Sequence, residues 1–235
     1  MLLYYITDRS QFPGTPEEQQ QAALSKIGEA ARAGVDFIQL REKNLSGRAL
    51  ESLAREAVET VRKNSRPSDV KTRTRLLINS RVDVALATGA DGVHLSSMDL
   101  PASEVRAIIG KTAAQDSGEV YRDFVVASSC HSAEDVAQAY AHGADFVVFG
   151  PVFEKVMPPA RSGVGISVLR DVCITPESPK NVEGVPVPRL PVLALGGITL
   201  QNARECVAAG AAGIAAIRLF QENDVSELVR VLKAR

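Results

Sequence analysis

The chain has 235 residues, 45% of them apolar and 23% charged, which excludes a disordered chain, a collagen and a coiled coil. Lys plus Arg number 27 against 28 Asp plus Glu, a net charge of −1. No global field therefore draws the protein to nucleic acid or to an anionic membrane, and any anion site must be local.

The three cysteines, Cys130, Cys173 and Cys206, are scattered and form no C-x-x-C. They read as thiols of a reducing cytosol rather than a disulfide framework. The start, MLLYYITDRS, has no basic region and no apolar run of secretory length. All apolar stretches are strand-length, too short to span a bilayer. The expectation is a soluble cytoplasmic protein.

In chain order, short apolar runs predict eight strands, near 2–7, 36–41, 75–80, 91–96, 124–129, 145–150, 191–196 and 213–218. The runs are continuous rather than alternating, as suits parallel strands buried on both faces. Helical patterns lie between them, over Glu17–Ala33, Gly47–Lys63, Ala133–Ala141, Leu200–Ala209 and Val225–Leu232, with Ser132 a candidate N-cap. Four stretches repeat one another: Ala33-Gly34-Val35-Asp36, Thr88-Gly89-Ala90-Asp91, His142-Gly143-Ala144-Asp145 and Ala209-Gly210-Ala211-Ala212. Each reads as a helix closed by a left-handed glycine and followed by a strand. Eight alternating βα units predict a single-domain (β/α)₈ TIM barrel over 1–235. No G-x-G-x-x-G follows the first strand, which disfavours a dinucleotide-binding open sheet. Two segments break the rhythm. Phe153–Gly165 is read as a βα loop on the catalytic face, and Thr175–Leu190, with four prolines, as an αβ loop on the opposite face.

In a barrel the chemistry sits at the C-terminal strand ends. On the second strand Gln39, Arg41 and Lys43 are spaced i, i+2, i+4 and share one face. That set suits a phosphate or pyrophosphate, Arg acting as a fork and Lys as a point charge. The competing reading is a salt-bridge network with Glu42 or other acids. The third strand ends in Asn79-Ser80 and the fifth in Ser129-Cys130-His131. Histidine titrates near neutrality, which makes His131 a candidate acid/base. His94 and His142 read as structural. Gly196-Gly197 and Arg218 end the seventh and eighth strands, the usual phosphate pocket of such barrels. Asp99, after the fourth strand, is the one candidate Mg²⁺ ligand, and a weak one. No feature marks Cys130 as a nucleophile.

Taken together, Tyr5-Ile6-Thr7-Asp8, Ile38-Gln39-Leu40-Arg41-Glu42-Lys43, Leu77-Ile78-Asn79-Ser80-Arg81, Gly89-Ala90-Asp91-Gly92-Val93-His94-Leu95, Gly143–Phe153 and Ala194-Leu195-Gly196-Gly197-Ile198 resemble the thiamin phosphate synthase / TenI family along nearly the whole chain. The resemblance implies a (β/α)₈ barrel and one of two activities. The synthase joins an aminopyrimidine pyrophosphate to a thiazole phosphate with Mg²⁺. The TenI branch is a thiazole tautomerase and needs no cofactor. By resemblance Gln39, Arg41, Lys43 and Asn79 bind pyrophosphate, Ser129 matches the serine before the strand-five histidine, and Gly196 and Gly197 match the thiazole phosphate site. The chain departs from the synthase pattern at Ser80, where the family has an aspartate on Mg²⁺. It departs again at Glu154–Pro158, which lacks a Thr-x-Thr-Lys, at Ser96-Ser97, and at Arg218 in place of a serine. The Phe153-Glu154 pair and Ser129-Cys130-His131 look more like the tautomerase branch.

The resulting expectation is a tautomerase-like proton transfer. His131 is its acid/base, and Gly196, Gly197 and Arg218 hold the monophosphate of a thiazole ligand. The alternatives are thiamin phosphate synthase and a non-catalytic phosphate-ligand sensor. Homo-oligomerisation is left open.

Overall fold

The computed structural model describes residues 1–65, 73–115, 123–154, 162–174 and 190–234. The glycine-ended helix and the strand after it, written four times in the sequence, set its rhythm. Strands β1 (Leu2–Ile6), β2 (Phe37–Leu40), β3 (Arg75–Asn79), β4 (Gly92–Leu95), β5 (Val125–Cys130), β6 (Phe146–Phe149), β7 (Val192–Leu195) and β8 (Gly213–Ala216) follow one another in the order of a closed barrel. Every pairing described is parallel. Between the strands run α1 (Pro16–Ala33), α2 (Gly47–Asn64), α3 (Val82–Thr88), α4 (Ala102–Gln115), α5 (Ala133–Ala141), α6 (Ile166–Cys173) and α7 (Ala203–Ala208), with α8 (Arg218–Gln221) and α9 (Val225–Lys233) closing the chain. This is the (β/α)₈ barrel expected. Most of Thr175–Leu190, and residues 155–161 of the loop after β6, lie outside the described residues. Among the described residues no helix is long and apolar enough to cross a membrane.

Contacts gather the chain into two compact units. One, called here the N-terminal unit, holds Leu3–His94, Gly118–Val125 and Ile217–Arg235. The other, the central unit, holds Met1–Leu2, Leu95–Ser117 and Val126–Ala216.

In the N-terminal unit the register pairs Ile6 with Gln39, Gln39 with Leu77 and Asn79 with His94. Paired residues of parallel strands point to the same face, so Tyr4, Phe37, Gln39, Leu77, Asn79 and His94 share one. Tyr4 lies edge-on to Phe37, with ring centroids 6.0 Å apart, and its hydroxyl meets His94 Nδ1 at 3.1 Å. His94 is therefore a buried structural histidine, as its sequence position suggests. The opposite face carries Leu3, Tyr5, Ile38, Leu40, Leu76 and Ile78, all buried. Tyr5 packs on Phe220 of α8, with ring centroids 5.6 Å apart.

Capping fixes the helix ends. Thr15 and Glu18 close a reciprocal capping box at the start of α1, Pro16 stands in the first turn, and Gly34 ends the helix at φ 87°. In the central unit Ser132 and Asp135 form the same box on α5, as the sequence predicts for Ser132. His142 caps the far end of α5 and its Nδ1 lies 3.1 Å from Ser103 Oγ, a structural role.

The aspartates of the repeats have a single job. Asp36 accepts the Leu3 N–H at 2.8 Å while its own N–H donates to Leu3 O. Asp91 does the same with Leu76, and Asp145 with Val126. Each thus clasps the preceding strand, and each pairs with a cation: Lys233, Arg73 and Arg106 respectively. The fourth repeat has Ala212 instead, whose N–H still donates to Val192 O at 2.8 Å. Asp91→Ala is expected to cost about 1–3 kcal/mol of unfolding free energy, because a partly buried amide and a cation lose their partner together. Glu51→Ala, which breaks an exposed pair with Arg55, is expected to cost under about 0.5 kcal/mol. Urea unfolding of both variants checks the contrast.

Candidate active site

The strand-two set expected from the sequence divides into two jobs. Gln39 is 2% exposed, and its Nε2 donates to Asn79 Oδ1 at 2.7 Å. Asn79 Nδ2 donates in turn to Ser80 Oγ at 3.0 Å. Ser80 sits at φ 61°, a left-handed conformation uncommon outside glycine. The three form a polar chain from one strand end to the next.

Arg41 is half-buried and Lys43 exposed. Among the described residues neither side chain is in an ion pair. Glu42, between them, is turned away. Its Oε1 accepts the Thr7 hydroxyl at 2.6 Å, both oxygens accept the Arg9 N–H at 3.3 and 3.2 Å, and Arg9 Nε lies 3.6 Å from Oε2. Burial pushes the Glu42 carboxyl above its ordinary range, opposed by the bonds from Thr7 and Arg9. Thr7 is fully buried and also accepts the Arg41 N–H at 3.0 Å. The salt-bridge alternative with Glu42 is thereby excluded. Sequence reasoning placed Glu42 only as a neutralising partner. Its true partners lie more than thirty residues away, and no local pattern reveals them.

Arg218 opens α8 rather than ending a strand, because β8 stops at Ala216. This corrects its expected placement, not its charge.

In the central unit Ser129 is half-buried on β5 and Cys130 is buried behind it. Burial, reinforced by Asp135, pushes the Cys130 thiol up to about 12, so it carries no thiolate near neutrality. His131 is exposed. Its N–H donates to Asp135 at 2.7 Å, and its Nδ1 lies 2.6 Å from Gly150 O. A carbonyl can only accept, so Nδ1 carries a proton and Nε2 is the nitrogen left for other partners. Ser129 and Asp99 line one open cleft of about 150 Å³ together with Ser96, Ser128, Cys130 and Asp135.

Gly196 and Gly197 are left-handed, at φ 100° and 61°. A Cβ on Gly196 would lie 2.6 Å from Pro151 Cα, and one on Gly197 2.8 Å from Phe153 Cβ. The segment after β6 runs directly over them, with Val152 N–H on Leu195 O at 2.7 Å and Phe153 N–H on Gly196 O at 3.1 Å. Packing alone requires both glycines.

The Mg²⁺ implied for a synthase finds a poor donor set. Asp99 Oδ2 accepts the Ser96 N–H at 2.6 Å within its own turn. At β3 the family's acid is Ser80, and Asn79 Oδ1 is taken by Gln39. Among the described residues no group of three His, Cys, Asp or Glu could hold a metal. These residues do not fit a protein-built Mg²⁺ site.

Known proteins agree with this reading of the fold. The family described as thiamine monophosphate synthase matches residues 3–220. A Geobacter sulfurreducens relative, provisionally described as a thiamine-phosphate synthase, is 39% identical over 99% of this chain and 92% of its own. The thiamine-phosphate synthase of Methanoculleus marisnigri is 33% identical over 99% of this chain and 94% of its own. The solved thiamine phosphate pyrophosphorylase from Pyrococcus furiosus superposes with a TM-score of 0.71 at 29% identity, over 99% of this chain and 93% of that one. With match, coverage and barrel all in accord, the chain belongs to the thiamine monophosphate synthase family.

Proposed function

We propose that the chain is a thiamin phosphate synthase. One observation carries the reading. Arg41 and Lys43 lack a counter-ion among the described residues, near the part-buried Gln39–Asn79 pair in the chain's fold, because Glu42 is held by Thr7 and Arg9. The relatives named above add weight, and they favour the synthase over the tautomerase expected from the sequence. In this reaction the bond from the pyrimidine methylene to the pyrophosphate oxygen breaks and the electron pair leaves on pyrophosphate. The thiazole nitrogen supplies the pair for the new C–N bond. Negative charge grows on the leaving group, where Arg41 and Lys43 are most effective. Gln39 and Asn79 orient it by hydrogen bonds. Ser129, Gly196 and Gly197 are assigned to the thiazole phosphate substrate, and Arg218 is kept as a phosphate cation on its charge.

The purified chain, given both substrates with and without Mg²⁺, is expected to release thiamin phosphate and pyrophosphate in equal amounts. Absence of both products in either condition overturns the reading.

A second reading is favoured by the bond from His131 Nδ1 to Gly150 O. It leaves Nε2 for a proton transfer, as a thiazole tautomerase requires. Incorporation of solvent deuterium into the thiazole carboxylate phosphate, lost in His131→Ala, would establish it. Binding of the thiazole phosphate with neither turnover nor exchange would leave the sensor.

A further inference from the structure

We propose that Glu42 is a positioning residue that, through Thr7, aims Arg41 at the pyrophosphate of the pyrimidine substrate. The proposal rests on the synthase reading and deepens it.

Its basis is the chain just past the strand end: β2 stops at Leu40, and Glu42, two residues on, turns its side chain to Thr7 and Arg9. Its side chain is 4% exposed. A carboxylate in such a place is costly unless every lone pair is used. Here the donors come from the loop after β1: the Thr7 hydroxyl, the Arg9 amide and the Arg9 side chain. Thr7 is the hinge of the arrangement. It donates to Glu42 and, through the same oxygen, accepts the Arg41 N–H. Its own N–H is spent on Gln39 O at 2.9 Å. The backbone just before Glu42 is therefore fixed from β1, and the Arg41 side chain springs from a clamped Cα. Nothing in this network touches the anion. It sets where the flexible Arg41 side chain begins, and so how much freedom that cation loses on binding.

Inorganic pyrophosphate, titrated calorimetrically into the full chain, tests this without requiring turnover. Glu42→Gln offers one acceptor oxygen where two are used, and Thr7→Val removes the hydroxyl at equal volume. Each is expected to weaken pyrophosphate binding about tenfold or more, while Thr7→Ser binds as wild type. In turnover, KM for the pyrimidine pyrophosphate rises and KM for the thiazole phosphate does not, a split that general destabilisation would not produce. Should Glu42→Gln fail to fold, the Val and Ser variants at Thr7 decide alone. Wild-type pyrophosphate affinity in Thr7→Val, or in a folded Glu42→Gln, overturns the proposal. A wild-type chain that binds pyrophosphate, with affinity lost in the variants, yet makes no thiamin phosphate, overturns the synthase reading and leaves the positioning role standing.

Discussion

Gln39→Leu is expected to lower thiamin phosphate formation about 100-fold or more while the protein stays folded. The two side chains are close in volume, so no cavity opens and the apolar face of β2 is kept. What is lost is the donor to Asn79 Oδ1, held at 2.7 Å. Asn79 is half-buried, so the stability cost stays near the low end of the about 1–3 kcal/mol of an unpaired polar atom. The functional cost is larger. Without its partner the Asn79 amide is free to rotate and to drop its bond to Ser80 Oγ, so two donors near the leaving group lose their aim at once. The steady-state signature is a raised KM for the pyrimidine substrate and a lowered kcat, with the circular dichroism spectrum and unfolding midpoint little changed. A variant with wild-type kcat/KM for the pyrimidine substrate would remove the Gln39–Asn79 pair from the site.

That pair shows what a sequence can carry. Gln39 was legible as a polar residue in phase on a strand, whereas Arg41 and Lys43 lie past the end of β2 at Leu40, where the expected strand alternation no longer places them. The glycines at 34, 89 and 143 were legible because a left-handed helix end has few alternatives. Strand positions came out within about two residues, the usual uncertainty of element ends. The expected helix over Leu200–Ala209 begins late, at Ala203. Thr199 and Asn202 bond each other's backbone N–H, at 2.8 and 3.3 Å, and hold the intervening residues in a turn. Such side-chain competition is local yet hard to weigh against helical periodicity. The partners of Glu42 were illegible for another reason: Thr7 and Arg9 reach it only once β1 and β2 pair. For the Gly-Gly pair the structure adds a reason the sequence did not carry, the close approach of Pro151 and Phe153.

Gly92→Ala is expected to destabilise the protein by about 3 kcal/mol or more, the upper end of the cost of overpacking. The reason is space. A methyl at Gly92 would stand 2.2 Å from Val125 O and 2.8 Å from Val125 Cβ. That carbonyl cannot swing aside cheaply, because Val125 N–H is bonded to Asp91 O at 2.9 Å. The repeats show why so small a residue starts this strand. The position after the fourth residue of each repeat is Phe37, Gly92, Phe146 and Gly213 in turn, so each unit has one large and one absent side chain there. Alternating large and small residues lets successive layers of a barrel interior interlock. Gly213 repeats the constraint in the central unit, where a Cβ would fall 2.0 Å from Leu2 O. Gly34→Ala is the control. Nothing lies within 4 Å of its added methyl, and only its φ of 87° resists, at about 1–2 kcal/mol. Urea unfolding should therefore rank Gly92→Ala well below Gly34→Ala in stability. If the two were equal, backbone conformation rather than the approach of β5 would govern both positions, and the interlocking of Phe and Gly around the strands would lose its physical support.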